Sequence, residues 1–423
     1  MSIKIIAQSE LRSRSLGAIP QGVLEKARHI VEDIRAGGKE AAVTYAQKFD
    51  QLGDRPLLVT KEERKDALDQ LKPSDRQVLE SAAGRIRTFA EAHRAALQDF
   101  EITEPLSGAR MGVRHQPVDC AGCYAPGGRY PLVSSILMTV IPAKVAGVKE
   151  VVLATPNATP LMLAAAEIAG ADAVLRIGGA QAIASLAFGI SGNSHSDMIV
   201  GPGNQWVTAA KQIISAERGI DMLAGPSELL IIADDSAPPD LIAADLLAQA
   251  EHDVEAIPLV ICTSQALAEK VQTEVDAQLN ALPEPNRSTA RAALENGGVV
   301  ISDSPDDAVR LANDIAPEHL EIMTENPEAL ASRCRNFGGL FIGSHAAEVF
   351  GDYGIGPNHT LPTSGVAKFS AGLSVAHFLR AQTYIACDQP VGGEIVDQTV
   401  KLARMEGLEG HAQAALRRRG AQL

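Results

Sequence analysis

Four groups of residues in this 423-residue chain have types and spacing suited to chemistry. Gln249 and His252 close the segment Ala248-Gln-Ala-Glu-His252 at the end of an expected helix. Three residues apart, they share one helix face and can converge on a single metal ion. A His near a helix C-terminus also serves the dipole with no ligand at all. Gly351-Asp-Tyr-Gly-Ile-Gly-Pro-Asn-His359 predicts an irregular loop, from its glycines and proline. Asp352 offers an oxygen to a metal and His359 a nitrogen to a metal or an anion, while an Asx turn at Asp352 is the structural alternative. In Pro317-Glu-His-Leu-Glu321, Pro317 predicts a helix start with Glu318 and His319 in its first turn. There the dipole favours a carboxylate and lowers a His pKa, as a neutral general base requires; an ordinary surface Glu–His pair has the same sequence. Finally, Glu406-Gly-Leu-Glu-Gly-His411 lies in an expected last helix. Glu406 and His411 sit roughly 140° apart on such a helix. They face one point only if Gly407 and Gly410 distort it; a solvated helix is the plain alternative.

A fifth group could approach phosphate. G-x-G-x-x-G is absent, but Gly127-Gly128, Gly178-Gly-Ala-Gln181 and Gly201-Pro-Gly-Asn204 each follow an expected strand or open a helix. Glycine there lets backbone N–H groups reach an anion, although tight turns alone also demand it. Ala224-Gly-Pro-Ser-Glu228 is a further turn, with Ser227 at the entrance to a strand. Cys120 and Cys123 form a C-x-x-C with no second pair to complete a four-cysteine zinc site. Small buried hydrophobes account for them as well as redox or metal work does.

The elements that must position these residues come in three textures. Helical periodicity covers Gln21–Arg35, Gly38–Phe49, Lys61–Leu71 and Pro73–Phe100. From Arg110 short strands lead to the turn Tyr124-Ala-Pro-Gly-Gly128, after which strands and helices alternate through Val200. A second alternating block has strands at Glu228–Ala233, Pro258–Thr263 and Gly298–Ile301, with helices at Pro239–His252 and Gln265–Leu279. Such alternation implies parallel sheets, with the cleft between two α/β units as the default site. From Asn358 the alternation is lost, and the chain closes in an expected helix, Asp397–Arg419.

Bulk properties narrow the function classes. A net charge of −14 repels phosphate backbones, so no nucleic-acid partner is expected, and Arg417-Arg-Arg419 reads as a solvated helix end. Five scattered cysteines are no disulfide framework and suit a reducing compartment. With neither a signal-peptide core nor a long apolar run, no membrane association is expected and the reading is cytoplasmic.

Eight segments, in order from about residue 122 to 411, are similar to motifs of the histidinol dehydrogenases: GCYAPGG, GGAQAIA, GPGNQWVTAAK, DMLAGPSELLIIAD, LLAQAEHD, APEHLEI, FGDYGIGPNHTLPTSG and EGLEGH. The resemblance implies an α/β fold of two incomplete Rossmann-like parallel-sheet domains with an N-terminal helical arm and a C-terminal helical tail. It implies an arm at 1–20, a first domain with the catalytic and metal residues at 21–123 plus 229–373, and an inserted NAD-side domain at 124–228. The tail, 374–423, is implied to complete the partner subunit's site in a homodimer. Carried over residue by residue, the resemblance makes Gln249, His252, Asp352 and His411 the ligands of one zinc ion per subunit. Glu318 and His319 become the catalytic pair. Ser227, His359 and Glu406 become substrate contacts beside His319 and the four ligands, and Tyr124, Gln181 and Asn204 neighbours of NAD.

The implied reaction is the four-electron oxidation of L-histidinol through histidinal to L-histidine with two NAD, the last step of histidine biosynthesis. In it zinc orients the substrate, His319 removes a proton in each oxidation and Glu318 activates the water that hydrates the aldehyde. The chain departs from the family pattern at Arg129-Tyr-Pro-Leu132, where many members have a longer small-residue stretch, and after His252, where Gly-Pro is missing. A related zinc and NAD dehydrogenase of hydroxyalkyl sulfonates, such as dihydroxypropane sulfonate, is the alternative. Glu406, His359 and Ser227 favour a cationic substrate over a sulfonate, which a carboxylate repels. A zinc-bearing nucleotide binder without catalysis is a further alternative, against which Glu318-His319 stands.

Overall fold

The computed structural model describes residues 3–13, 19–105, 107–127, 131–192 and 194–419, so Gly128, Arg129 and Tyr130 lie outside it. In chain order the strands are β1 (Phe100–Thr103), β2 (Arg110–Pro117), β3 (Cys120–Tyr124), β4 (Glu150–Ala154), β5 (Ala173–Leu175), β6 (Met198–Val200) and β7 (Gly219–Ile220). They continue as β8 (Glu228–Ala233), β9 (Ile257–Cys262), β10 (Gly298–Ile301), β11 (His319–Met323), β12 (Gly339–Ile342) and β13 (Leu379–Ala386). Two parallel sheets result, ordered β5-β4-β3-β6-β7 and β10-β9-β8-β11-β12, with a third, antiparallel sheet β1-β2-β13. Each parallel sheet has the doubly wound order short of its last strand. The fold is therefore α/β, with two incomplete Rossmann-like sheets and helical segments at both ends.

Burial in the strands explains the sheets. Every residue of β8 is buried, as in a parallel strand covered on both faces. Leu229 and Ile231 join one apolar cluster while Leu230 and Ile232 join another, the two-residue period of a pleated strand. Val151 and Leu153 divide from Val152 and Ala154 in the same way in β4.

The N-terminal helices depart from the expected grouping of 21–123 with 229–373. Gln21–Phe49, which breaks at Gly38, packs on Gly179–Phe188 and Gln205–Ile214; Lys61–Asp69 packs on Pro160–Ala169, and Pro73–Ala96 on Val133–Ala146. All of these belong to the unit around β3–β7. The cause is visible in Gly179–Phe188, where every residue from Ala180 to Ala187 is buried. A helix apolar on all sides needs a second covering layer. Of the expected arm, Ile6 N–H donates to Val299 O and Val299 N–H to Lys4 O, adding the chain to the β10 edge; residues 1, 2 and 14–18 lie outside the described ones.

Further differences occur where local pattern meets long-range pairing. The helix expected to reach Phe100 ends at Ala96, because Phe100 pairs with Val113. β13, within the stretch where the alternation is lost, pairs along the whole of β2. The single helix expected at Asp397–Arg419 is two, Gly393–Met405 and Glu409–Leu416, broken where Gly407 takes φ +76°. The cysteines are free and all but Cys387 are buried; burial pushes the Cys120 thiol up to about 11 and the Cys123 thiol higher still, as inert apolar side chains. No described helix is long and apolar enough to cross a membrane.

A buried ion pair sets the turn after β6. Lys211 Nζ donates to Asp221 Oδ1 at 2.5 Å and to Gly201 O at 2.6 Å, and Gly201 N–H donates to Asp221 Oδ2 at 2.7 Å. Gly201 has φ +125° and passes so close to Tyr124 that a Cβ would lie 2.1 Å from its carbonyl oxygen. Removing one partner of such a pair strands a buried charge. Asp221→Ala should therefore lower the unfolding free energy by about 3–5 kcal/mol in urea melts; a loss below about 1 kcal/mol would refute the clamp.

Candidate active site and metal centre

Glu318 and His319 do not open a helix. Pro317 precedes β11, the strand between β8 and β12, and His319 pairs in register with Leu229. Central pairing with β8 overrides the helix-start signal of Pro317. Both side chains are buried. Glu228 N–H donates to Glu318 Oε2 at 2.9 Å, and the Ser227 hydroxyl also hydrogen-bonds the Glu318 carboxyl. His319 Nδ1 lies 3.1 Å from Glu228 O. A carbonyl only accepts, so Nδ1 carries the proton and Nε2 keeps its lone pair. That Nε2 is buried without a hydrogen-bond partner, 3.9 Å from Asp352 Oδ1. Burial, rather than a helix dipole, pushes His319 down to about 4 and so keeps it neutral. Burial also raises Glu318 well above the ordinary carboxylate range.

Beside this pair lies a set of metal-type donors. The Pro239–Ala250 helix ends just before His252, whose N–H reaches Gln249 O at 3.3 Å, so Gln249 is helical and His252 lies in the turn beyond. Gln249 is wholly buried with neither amide atom paired. Asp352 ends a short helix, Glu348–Asp352, rather than lying in an irregular loop. Its Oδ2 lies 3.5 Å from His252 Nε2. Burial acts to raise Asp352, but the hydrogen bond from His252 and the nearby His359 and His319 outweigh it and hold Asp352 at about 2.

Glu348, which the sequence pattern does not single out, joins these donors. It is buried, neither carboxylate oxygen has a hydrogen-bond partner, and ligand atoms of His252, Glu348 and Asp352 lie within 4.8 Å of one another. Its signal was the four-residue spacing of Glu348-Val-Phe-Gly-Asp352, one face of one helical turn. Burial, with Asp352, Glu321 and Glu318 nearby, raises it well above the usual range. His359 sits against Asp352 with both nitrogens engaged: Nδ1 donates to Asp352 O at 3.0 Å, and the Ser135 hydroxyl donates to Nε2 at 3.2 Å.

Glu406 and His411 are not brought to this centre within the chain. Both are exposed on the paired tail helices, whose small apolar cluster contains Val396, Val400, Ala403 and Ala412.

Tyr124, Gln181 and Asn204 gather at the carboxyl ends of β3, β5 and β6. Strand order reverses between β3 and β6, the place where open α/β sheets take ligands. Tyr124 is buried, its hydroxyl accepts Gly179 N–H at 3.3 Å, and burial raises it to about 12. Asn204 Oδ1 caps Gln205–Ile214 by accepting Trp206 N–H and Val207 N–H.

The family model described as histidinol dehydrogenase matches residues 17–419. A histidinol dehydrogenase of Thermus thermophilus is 42% identical over 415 residues, covering 97% of this chain and 98% of that protein. The Bacillus subtilis histidinol dehydrogenase is 40% identical over 422 residues, 98% of each chain. The crystal structure of histidinol dehydrogenase from Elizabethkingia anophelis matches with a TM-score of 0.92 at 32% identity, covering 98% of each chain. With its neutral buried imidazole, its cluster of donors and these likenesses over nearly its whole length, the chain belongs to the histidinol dehydrogenase family.

Proposed function

We propose that the chain oxidises L-histidinol through histidinal to L-histidine, with NAD as acceptor in both steps and one zinc ion per subunit. The relatives' name and their coverage support the reaction. The observation that carries the reading is the neutral His319 ring, its Nε2 unpartnered beside Asp352 where His252 and Glu348 converge. The donor set fits a divalent zinc ion: a buried amide with both atoms unpaired, an imidazole and carboxylates. Gln249, His252 and Asp352 would hold it, joined by His411 of the partner subunit. NAD fits the β3–β6 switch point, where Tyr124 and Asn204 lie, with Gln181 in the helix turn that Gly179 ties to the Tyr124 hydroxyl. When bound, zinc supplies the charge that orients the substrate's nitrogens, and NAD supplies the hydride acceptor.

The chain's own residues then handle protons. His319 Nε2 takes the hydroxyl proton in the first oxidation, while Nδ1–H stays on Glu228 O and steadies the imidazolium. Glu318 takes a proton from the water that adds to the aldehyde, its raised basicity suiting that task. His319 removes the hydrate's proton in the second oxidation. Ser227 orients Glu318, and Ser227, His359 and the partner's Glu406 border the substrate. Asp352, held ionised at the centre of this site, favours a cationic amino-imidazole and repels a sulfonate. NADH formation from histidinol tests the reading directly; turnover of dihydroxypropane sulfonate with none of histidinol would overturn it.

Three outcomes follow for the residues. His252→Ala and Asp352→Ala should lose zinc and activity together; unchanged zinc content by elemental analysis in both would remove them as ligands. Glu318→Gln should slow histidinal oxidation far more than histidinol oxidation, roughly the 10²- to 10⁴-fold of a lost general base. Equal losses, with alcohol and aldehyde assayed separately, would contradict that division. A tail shared between subunits predicts complementation: His252→Ala and His411→Ala homodimers are each inactive, yet their heterodimer keeps one intact site. Co-expression should recover roughly a quarter of native activity under random pairing. No recovery in a purified heterodimer would place each tail on its own subunit.

A further inference from the structure

We infer that Asp50 is a positioning residue for the nucleotide: it fixes which end of the Gln181 amide faces the cofactor. The inference rests on the proposed placement of Gln181 beside NAD. Asp50 follows the Gln21–Phe49 helix, far from Gln181 in sequence, and is only 7% exposed. Gln181 Nε2 donates to Asp50 Oδ2 at 3.1 Å, and Gly178 N–H also donates to the Asp50 carboxylate. The approach is close: a Cβ on Gly178 would lie 2.7 Å from Asp50 Oδ1. The next N–H, of Gly179, goes to the Tyr124 hydroxyl.

Two consequences follow from this donor arithmetic. An ionised carboxylate accepts and never donates, so the amide nitrogen of Gln181 must turn toward Asp50. No hydrogen bond among the described residues ends on Gln181 Oε1, which is left as an acceptor beside the Gly178-Gly179 turn. Asp50 also occupies, with its own negative charge, the Gly178 N–H that a glycine turn opening a helix would otherwise offer to phosphate. Asp50 thereby keeps phosphate off the Gly178 N–H and sets Gln181 Oε1 to accept from a donor group of the cofactor, a ribose hydroxyl or the nicotinamide carboxamide.

The test is a double-mutant cycle in the zinc-loaded enzyme. NAD affinity is read from quenching of Trp206, the chain's one tryptophan, two residues beyond Asn204, and KM is measured for NAD and histidinol separately. Gln181→Met should weaken NAD about tenfold, the worth of one hydrogen bond. Asp50→Asn, free to donate or accept, should weaken it several-fold with the histidinol KM unchanged. In the double variant the loss should not exceed that of Gln181→Met alone, because Asp50 acts through that side chain. Additive losses, or full NAD affinity in Asp50→Asn beside a weakened Gln181→Met, would overturn the inference. An unweakened Gln181→Met would instead remove Gln181 from the nucleotide site, and this inference with it. If Asp50→Asn does not fold, Asp50→Glu carries the test: it keeps an acceptor-only group and should hold NAD within about twofold of native. A loss as large as that of Gln181→Met would overturn the inference.

Discussion

One peptide group governs the catalytic candidates. The N–H of Glu228 donates to Glu318 and its carbonyl accepts from His319, so a single residue at the start of β8 orients both. The arrangement depends on the parallel register that sets His319 beside Leu229; a slip of one residue would turn the imidazole to the opposite face. Glu228 is itself held, since Ser364 N–H donates to its Oε1 at 2.9 Å, and burial raises its carboxyl to about 7. Gly225 N–H in turn donates to Thr363 Oγ1. The turn at 225–228 and the loop at 363–364 thus lock each other, and the tautomer of His319 follows from that lock.

The two sheets share one strand order but use opposite ends. Around β3 and β6 the nucleotide candidates lie at the carboxyl ends, where following helices present their N-termini and favour anions. Around β8 and β11 the catalytic candidates lie at the amino ends. There the Pro239–Ala250 helix presents its C-terminus, which favours a cation. This polarity matches an anionic dinucleotide on one side and a metal with a cationic substrate on the other. It also explains why the usual rule for open α/β sheets locates only half of the site.

What was legible in the sequence was what local pattern encodes. Buried strands such as Glu228–Ala233, the glycine turns, and Gln249 with His252 at a helix end all emerge from periodicity and turn chemistry. What was lost depended on partners distant in sequence. Pro317-Glu-His reads locally as a helix start, and only its place between β8 and β12 makes it a strand. β13 is a strand because β2 accepts it. The N-terminal helices join the β3–β7 unit because that unit's Ala-rich helices need a second cover. Glu348 escapes notice because its four-residue spacing from Asp352 matters only once the segment between them is a helical turn, and Asp50 because its partner Gln181 lies 131 residues away.

His359 shows how the two halves are kept in step. Its Nδ1 holds the backbone of Asp352, on the metal side, while its Nε2 receives Ser135, in the first turn of the helix that follows β3. Neighbouring Asn358 makes a parallel tie, its amide donating to Met138 O at 2.6 Å in the same helix. With both ring nitrogens engaged, His359 is better suited to setting a distance than to carrying protons. Hydride transfer is acutely sensitive to the separation of the reacting carbons, so a rigid link between the carboxylate of one sheet and the crevice of the other has direct chemical value. A substrate reaching His359 Nε2 would have to displace Ser135. That exchange would couple occupancy of the space beside Asp352 to the position of the Val133–Ala146 helix.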